Sequence, residues 1–362
     1  MNSRLLTGRA SAGAISNGMR LLITTQAVDN DDPVLGFFVG WISELAKHYE
    51  SIYVVCLKEG KHQLPSNVSV HSLGKESGPS RLKYVARFYR LLFSLRANYD
   101  SVFVHMNQEY VLLGGVFWRL LGKRIYLWRN HWAGGFATDI AAALCTKVFC
   151  TSRHSYTAKY KKTVIMPIGV DAERFKPVPG VTRTPRSILF LARMAPSKRP
   201  DVLFEAFRLM QIRGLAFSAS FVGSPLPVDK EYYDRLMRTA EERGMRGMVE
   251  FKAGIPNAET PAVYSAHEIF VNLSRSGMYD KTIPEAAACG CVVLASSDDF
   301  AAAADPRFVF KDADAKDLAE KLSAILTLSD DDRRGLQSSL SAFVSSNSLQ
   351  TLGARLAQEI SV

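Results

Sequence analysis

Apolar residues along this chain fall into short runs closed by polar residues, and these runs alternate with stretches of helical spacing. MRLLITTQ (19–26), SIYVVCL (51–57), VSVHSL (68–73) and SVFVHM (101–106) read as buried strands. FFVGWISELAKHY (37–49) places Phe37, Trp41, Leu45 and Tyr49 at every fourth position and predicts a helix. Residues 81–96 predict another helix. RIYLWRNH (124–131), TKVFCTS (146–152) and TVIMPIG (163–169) continue the strand pattern. VDAERFKPVPGVTRTPR (170–186), rich in Pro, Gly and Thr, reads as an interdomain linker.

The pattern then restarts. Strands are expected at SILFLAR (187–193), FSASFVGS (217–224), VEFKAG (249–254), HEIFVNLS (267–274), CVVLAS and RFVFKD, with helices at 200–214, 229–244, 315–328 and 331–345. Strands alternating with helices mean mostly parallel α/β sheets, and the restart means two such domains rather than one long sheet. No sequence repeat accompanies this architectural one.

At 362 residues the chain exceeds one compact core, which agrees with two domains. No apolar run is long enough to span a bilayer, and the opening MNSRLLTGRASAGAISNG lacks the apolar block of a signal peptide. The five cysteines are odd in number and match no zinc spacing, so a structural role in a reducing cytoplasm is expected. Charge is lopsided. Residues 1–180 hold 23 Lys and Arg against 12 Asp and Glu, a net +11, whereas 181–362 hold 22 against 23, a net −1. The first half is thus built to meet something anionic. No RNP, zinc-finger or helix-turn-helix pattern points to nucleic acid.

Ligands of open α/β sheets bind at the carboxyl ends of strands. Arg193 closes one predicted strand and Lys198 follows in the next loop, where a diphosphate could lie, although a solvated basic loop would look the same. In SGMYDKTIPEAAACGCVVLAS (276–296), Thr282 to Glu285 has the form of a capping box, with Pro284 in the first turn and Gly290 as the stop. The same turn could instead bind an anion at Lys281 and Thr282 while Glu285 grips ribose hydroxyls. His131 follows the strand in YLWRNHWAGG, where it could share a proton with a substrate hydroxyl or be an ordinary packed loop residue. His105 sits at an equivalent strand end with less around it. Lys83, Arg87 and Arg90 share one face of the helix at 81–96, with Tyr84, Phe88 and Tyr89 interleaved. Such a helix suits an anionic membrane surface, or is a plain solvated face.

SILFLARMAPSKRPDVLFEAF, VGSPLP, VEFKAGIPNAETPAVYSAHEIFVNLS and DKTIPEAAACGCVVLAS, in this order, resemble the second domain of GT-B glycosyltransferases of family 4, and PIGVDAERFKP (167–177) resembles that family's interdomain segment. The match is good over 165–300 and weaker over 19–165. The resemblance implies the GT-B fold, two Rossmann-like α/β domains facing across a cleft. Its parts would be a flexible tail (1–18), an acceptor-side domain (19–168), a linker (169–186), a nucleotide-sugar-binding domain (187–345) and a C-terminal helix (346–362) packing back on the first domain.

The implied activity is retaining transfer of a sugar from a UDP- or GDP-linked donor, with no metal or other cofactor. The acceptor would be lipid-linked or another anionic glycan, and the setting the cytoplasmic face of an anionic membrane. Arg193 and Lys198 match the pair that stabilises the leaving diphosphate. Glu285 matches the second acid of the family's Glu, seven residues, Glu motif, which binds the ribose. Lys281 and Thr282 match positions whose amides meet the phosphates, Gly36 lies near the glycine loop, and His131 sits where a donor-sugar histidine is common. Two departures stand out. The first acid of the motif falls at Gly277, with Asp280 the candidate to replace it, and TQAVDNDDPVLG is longer and more acidic than the family's glycine loop. Loss of that acid leaves a rival reading, a non-catalytic nucleotide-sugar-binding protein. A dehydrogenase is disfavoured because no G-x-G-x-x-G follows the first strand.

Overall fold

The computed structural model describes residues 18–361 apart from Pro33, Pro79, Arg246, Met278 and Tyr279. The tail expected over 1–18 therefore lies, but for Gly18, outside the described residues. Twelve named strands alternate with helices: β1 (Arg20–Val28), α1 (Phe37–Ala46), β2 (Ser51–Glu59), β3 (Val68–Ser72), α2 (Arg81–Leu95), β4 (Ser101–His105), α3 (Glu109–Leu120), β5 (Arg124–Trp128), α4 (Phe136–Leu144), β6 (Lys147–Cys150) and β7 (Thr163–Ile165) come first. Then follow β8 (Ser187–Leu191), α5 (Pro200–Ile212), β9 (Ser218–Val222), α6 (Lys230–Glu242), β10 (Val249–Lys252), α7 (Thr260–Ser265), β11 (Ile269–Asn272), α8 (Thr282–Ala288), β12 (Val292–Ala295), α9 (Asp298–Ala301), α10 (Ala315–Leu326), α11 (Asp330–Ser339), α12 (Ser341–Ser346) and α13 (Leu349–Ser361).

The strands make two sheets, in the orders β3-β2-β1-β4-β5-β6-β7 and β10-β9-β8-β11-β12. The registered pairs are parallel, for example Leu22 opposite Tyr53 and Ile188 opposite Ala219. Parallel strands are covered on both faces, which is why LLIT, YVVC and CVVLA read as unbroken apolar runs rather than alternating ones. Among the described residues no helix is long and apolar enough to cross a membrane.

Two compact units result: the chain up to Leu127 with Ala143–Thr146 and the residues from Gly353 on, and Trp128–Ala142 with Lys147–Leu352. In the first unit the end of α13 lies against β5, where the Tyr126 hydroxyl donates to the carbonyl of Ile360 at 2.9 Å. In the second, Arg183 reaches three carbonyls at once: Ser265 (3.2 Å), Gly290 (2.6 Å) and Cys289 (2.8 Å). Two of these belong to the open end of α8, so a side chain from the Pro-rich stretch before β8 satisfies groups the helix cannot.

The expected strand RFVFKD is not one. Asp305 caps a 3-10 turn over Pro306–Phe308, and only Val309 bridges the sheet, opposite Ala295. A proline behind a capping aspartate starts a turn, and this outweighs the β-branched and aromatic residues that follow. The helix expected over 331–345 is broken at Leu340 into α11 and α12, within a serine-rich stretch whose Ser339 hydroxyl donates to the Leu336 carbonyl. All five cysteines are free and buried.

Candidate functional site

The sites that can be built from side chains in contact lie in the second unit. β8 ends at Leu191, and its exit is zipped to the exit of β9: the Ala192 amide donates to Val222 and the Met194 amide to Ser224, both at 3.2 Å. The close approach demands a glycine. A Cβ on Gly223 would lie 1.9 Å from the Ala192 carbonyl oxygen. These loops, with Gly254 and Ile255 after β10, enclose a pocket of about 260 Å³ whose charged wall is Arg193. Arg193 is exposed, and among the described residues no ion pair or hydrogen bond occupies its guanidinium.

Lys198 closes a 3-10 turn, Pro196–Lys198, just before α5. Its ammonium is held by the Ser274 hydroxyl and by Asp280 Oδ2, both at 2.9 Å. Ser274 also donates to the same oxygen at 2.8 Å, which closes a triangle. The other oxygen of Asp280 accepts from the Thr282 amide (3.2 Å) and hydroxyl (2.9 Å), and Asn272 in turn donates to that hydroxyl at 3.0 Å. Burial works to raise the Asp280 pKa, but the charge of Lys198 and these hydrogen bonds outweigh it and hold the carboxyl well below its ordinary value. Its contribution to stability is therefore complete above pH 3.8, the ordinary value, and is lost only as pH falls below it.

Glu285 has the opposite fate. It is 8% exposed, and its Oε2 accepts from the Tyr264 hydroxyl at 3.4 Å. Burial raises its pKa, the charge on Asp280 adds to the rise, and Lys281 opposes it. The capping-box expectation fails here. Thr282 is the first residue of α8, Lys281 is the cap residue, and neither Thr282 nor Glu285 caps through its side chain. Gly290 does stop the helix, with φ +86°.

Gly277 explains its own identity. Its φ is +103°, and a Cβ would lie 2.9 Å from Trp132 Cβ and 3.1 Å from the His154 carbonyl oxygen. Its carbonyl accepts from the Ser155 hydroxyl at 2.9 Å, and its amide donates to Asp299 at 3.3 Å. An acid at 277 is thus excluded by backbone conformation and by packing. Trp132 brings His131 to this segment: the two rings stack at 5.5 Å, and the Ala133 amide donates to His131 Nδ1 at 2.9 Å. The Ala133 carbonyl oxygen lies 3.2 Å from the same nitrogen, so Nδ1 is held by Ala133 in either tautomer.

Of the expected site residues, the structure gathers Lys198, Asp280 and Thr282 into one hydrogen-bonded cluster, with Lys281 at the N-terminal cap of α8 and Glu285 in its first turn. Arg193 lines the neighbouring pocket, and His131 and Gly277 meet through Trp132. Gly36 belongs to the first unit, where its amide donates to Asp32 at 3.0 Å and a Cβ would sit 2.7 Å from the Asn30 carbonyl oxygen. Lys83, Arg87 and Arg90 lie exposed on α2 of that unit.

Sequence reasoning missed Ser274, Tyr264 and the pair Arg199–Asp312. Arg199 has φ +51°, and its guanidinium pairs with the Asp312 carboxylate. The one available signal was the Lys-Arg-Pro junction, because a residue before proline is barred from continuing a helix. Arg199 sets the turn that presents Lys198. Left-handed backbone costs a non-glycine residue roughly 1–3 kcal/mol where nothing compensates. Arg199→Ala keeps that cost and loses the ion pair, whose aspartate is half exposed, so it should lower unfolding stability by about 0.5–1 kcal/mol. Arg199→Gly should lose less, because glycine adopts φ +51° freely. Denaturant titration of both variants decides, and equal losses would mean that the backbone conformation carries no strain.

Two parallel sheets built on this plan define the GT-B fold, which the solved structures share. Anabaena HepE in complex with UDP superposes with a TM-score of 0.74 over 95% of this chain and 100% of that chain at 18% identity. A glycosyltransferase from Rickettsia africae gives 0.71 over 95% and 99% at 15% identity. Residues 171–338 match the model of the glycosyl transferases group 1 family. Among curated relatives, the D-inositol 3-phosphate glycosyltransferase of Frankia alni is 29% identical over 154 residues, 39% of this chain and 38% of that protein. The GDP-mannose-dependent alpha-(1-6)-phosphatidylinositol monomannoside mannosyltransferase of Mycolicibacterium smegmatis is 28% identical over 146 residues, 36% and 37% respectively. The chain thus spans under two fifths of the length of these relatives.

Proposed function

We propose that the protein is a retaining glycosyltransferase that moves a sugar from a UDP- or GDP-linked donor to a lipid-linked or other anionic glycan acceptor. The observation that carries this reading is the pairing of an unengaged cation, Arg193, on the wall of a pocket of about 260 Å³ with a second cation, Lys198, in the same strand-end loop. Negative charge develops on the leaving diphosphate as the donor's sugar–phosphate bond breaks, and fixed cations at that point lower the barrier. Asp280 and Ser274 hold Lys198 in place before any donor arrives, so little reorganisation is needed when charge appears. The acceptor hydroxyl attacks the anomeric carbon from the face the diphosphate leaves. The departing phosphate oxygen takes the hydroxyl proton, and configuration is retained. His131, with Nδ1 held by Ala133, offers Nε2 to hydrogen-bond a donor-sugar hydroxyl.

The family match over 171–338 supports the donor half of this reading. The names of the relatives, which specify D-inositol 3-phosphate and a phosphatidylinositol monomannoside, support an anionic acceptor, as does the net +11 of residues 1–180. On this reading the protein works at the inner face of an anionic membrane.

A thermal-shift panel of UDP-, GDP- and ADP-sugars tests the donor. The correct one, at 100 times its dissociation constant, should add about 2.7 kcal/mol of stability. No stabilisation by any of them would overturn the reading. Stabilisation without transfer to any acceptor would convert it to a nucleotide-sugar-binding protein, consistent with the backbone's refusal of an acid at Gly277.

A further inference from the structure

α2 and α3 of the first unit present an apolar surface that a water-soluble face does not require. On α3, Val116 is 59% and Leu120 82% exposed; Leu112 shares their stripe by i, i+4, i+8 spacing and Leu113 by i, i+3, i+7 spacing. On α2, Leu82 is 86% and Phe93 53% exposed. The two stripes join: the rings of Phe93 and Phe117 meet edge to face at 4.7 Å, and the Tyr89 hydroxyl donates to the Leu113 carbonyl at 3.1 Å. Contiguous exposed hydrophobics of this size mark a docking face.

Charge states what docks there. α2 carries Arg81, Lys83, Arg87 and Arg90 and no acid. Over 81–124 there are eight Lys and Arg against two Asp and Glu. By helical position, Lys83, Arg87 and Arg90 run beside the α2 apolar stripe rather than through it. Lys83 and Arg87 also line a pocket of about 230 Å³ with Gly78 and Ser80, large enough to admit a phosphate group. An apolar stripe flanked by unbalanced cations is the pattern of a helix lying in the headgroup–acyl boundary of an anionic leaflet.

We propose that α2 and α3 together form an anionic-lipid docking surface, in which Leu112, Val116 and Leu120 of α3 insert among acyl chains while Lys83, Arg87 and Arg90 of α2 meet phosphate headgroups. This rests on, and makes specific, the membrane setting of the acceptor proposed above. It assigns the apolar part of the contact to α3 rather than to the basic helix alone.

The test is co-sedimentation of the full chain with vesicles of phosphatidylcholine alone and of phosphatidylcholine with phosphatidylglycerol, on wild type, Val116→Glu/Leu120→Glu and Lys83→Glu/Arg90→Glu, which leaves the Arg87 bond to the Leu73 carbonyl in place. Wild type should bind the anionic vesicles and scarcely the neutral ones. Each variant should lose at least tenfold in binding while its melting temperature and its stabilisation by nucleotide-sugar stay at wild-type values. Both α3 positions are exposed, so loss of fold does not confound the result, and Val116→Gln/Leu120→Gln provides a milder check. Wild type that ignores anionic vesicles, or glutamates on α3 that leave binding unchanged, would overturn the surface. So would a wild-type dimer in solution that the α3 variants abolish, since a second copy would then be the occupant. Vesicle binding without any donor stabilisation keeps the surface and overturns the catalytic reading instead.

Discussion

Lys198→Ala is expected to lower single-turnover sugar transfer by about 100- to 1000-fold, the usual loss when one preorganised donor to a developing anion is removed. The ammonium is already held at 2.9 Å by both Ser274 and Asp280, so its position does not depend on the donor. Part of the loss has a second origin. Without Lys198, Asp280 keeps hydrogen bonds from Ser274, Thr282 and Asn272 but no cation, and a second negative charge, the diphosphate, must approach a carboxylate with no counter-charge. Asp280→Asn separates the two contributions. It leaves the lysine cationic and removes the repulsion, so it should cost far less than Lys198→Ala. A Lys198→Ala variant that turns over within threefold of wild type would remove this lysine from the chemistry and leave Arg193 as the only candidate for the leaving group.

Gly277→Glu is expected to destabilise the protein and not to improve donor binding, although it would complete the spacing of two acids. The backbone at 277 has φ +103°, and a side chain must displace Trp132 or the His154 carbonyl. Strained backbone costs roughly 1–3 kcal/mol and overpacking a similar amount, so a loss of about 2–5 kcal/mol is expected. For a unit of this size that corresponds to a fall in melting temperature of roughly 5–15 °C. Gly277→Ala should show most of the same fall, because the first carbon already clashes. A Glu variant that melts with wild type would show that the segment around Ser155 and Gly277 rearranges freely. The local absence of an acid is thus a property of how the chain passes Trp132.

The strands were legible because parallel strands buried on both faces must be apolar where they are covered, and the runs at 21–23, 52–57, 188–191 and 292–295 are. α3 was not legible. EYVLLGGVFWRL is apolar from Tyr110 to Trp118 and holds two adjacent glycines, so no helical period shows. The structure explains both features. Trp118 folds over Gly114, where a Cβ would lie 2.8 Å from its ring, Leu144 presses on Gly115 at 3.0 Å, and the opposite stripe faces outward. At the site, Lys198, Asp280 and Thr282 could be picked out because charged residues at strand ends are few. Their mutual arrangement could not be. The motif alone turns Thr282 and Lys281 towards phosphate, whereas in the structure the Thr282 amide and hydroxyl both donate to Asp280. Contacts among residues as far apart as 198, 274 and 280 are set by strand register, which local patterns do not encode.

The reach of Arg183 bears on where the chain can be cut. The second sheet begins at Ser187, and a fragment started there would look complete by its strands and helices. It would lack the guanidinium that holds the carbonyls of Ser265, Cys289 and Gly290. The C-terminal end of α8, the helix that carries Glu285, would then be left to water at a place built to be dry. The smallest autonomous version of this half of the protein therefore starts upstream of Arg183, inside a stretch whose composition marks it as dispensable.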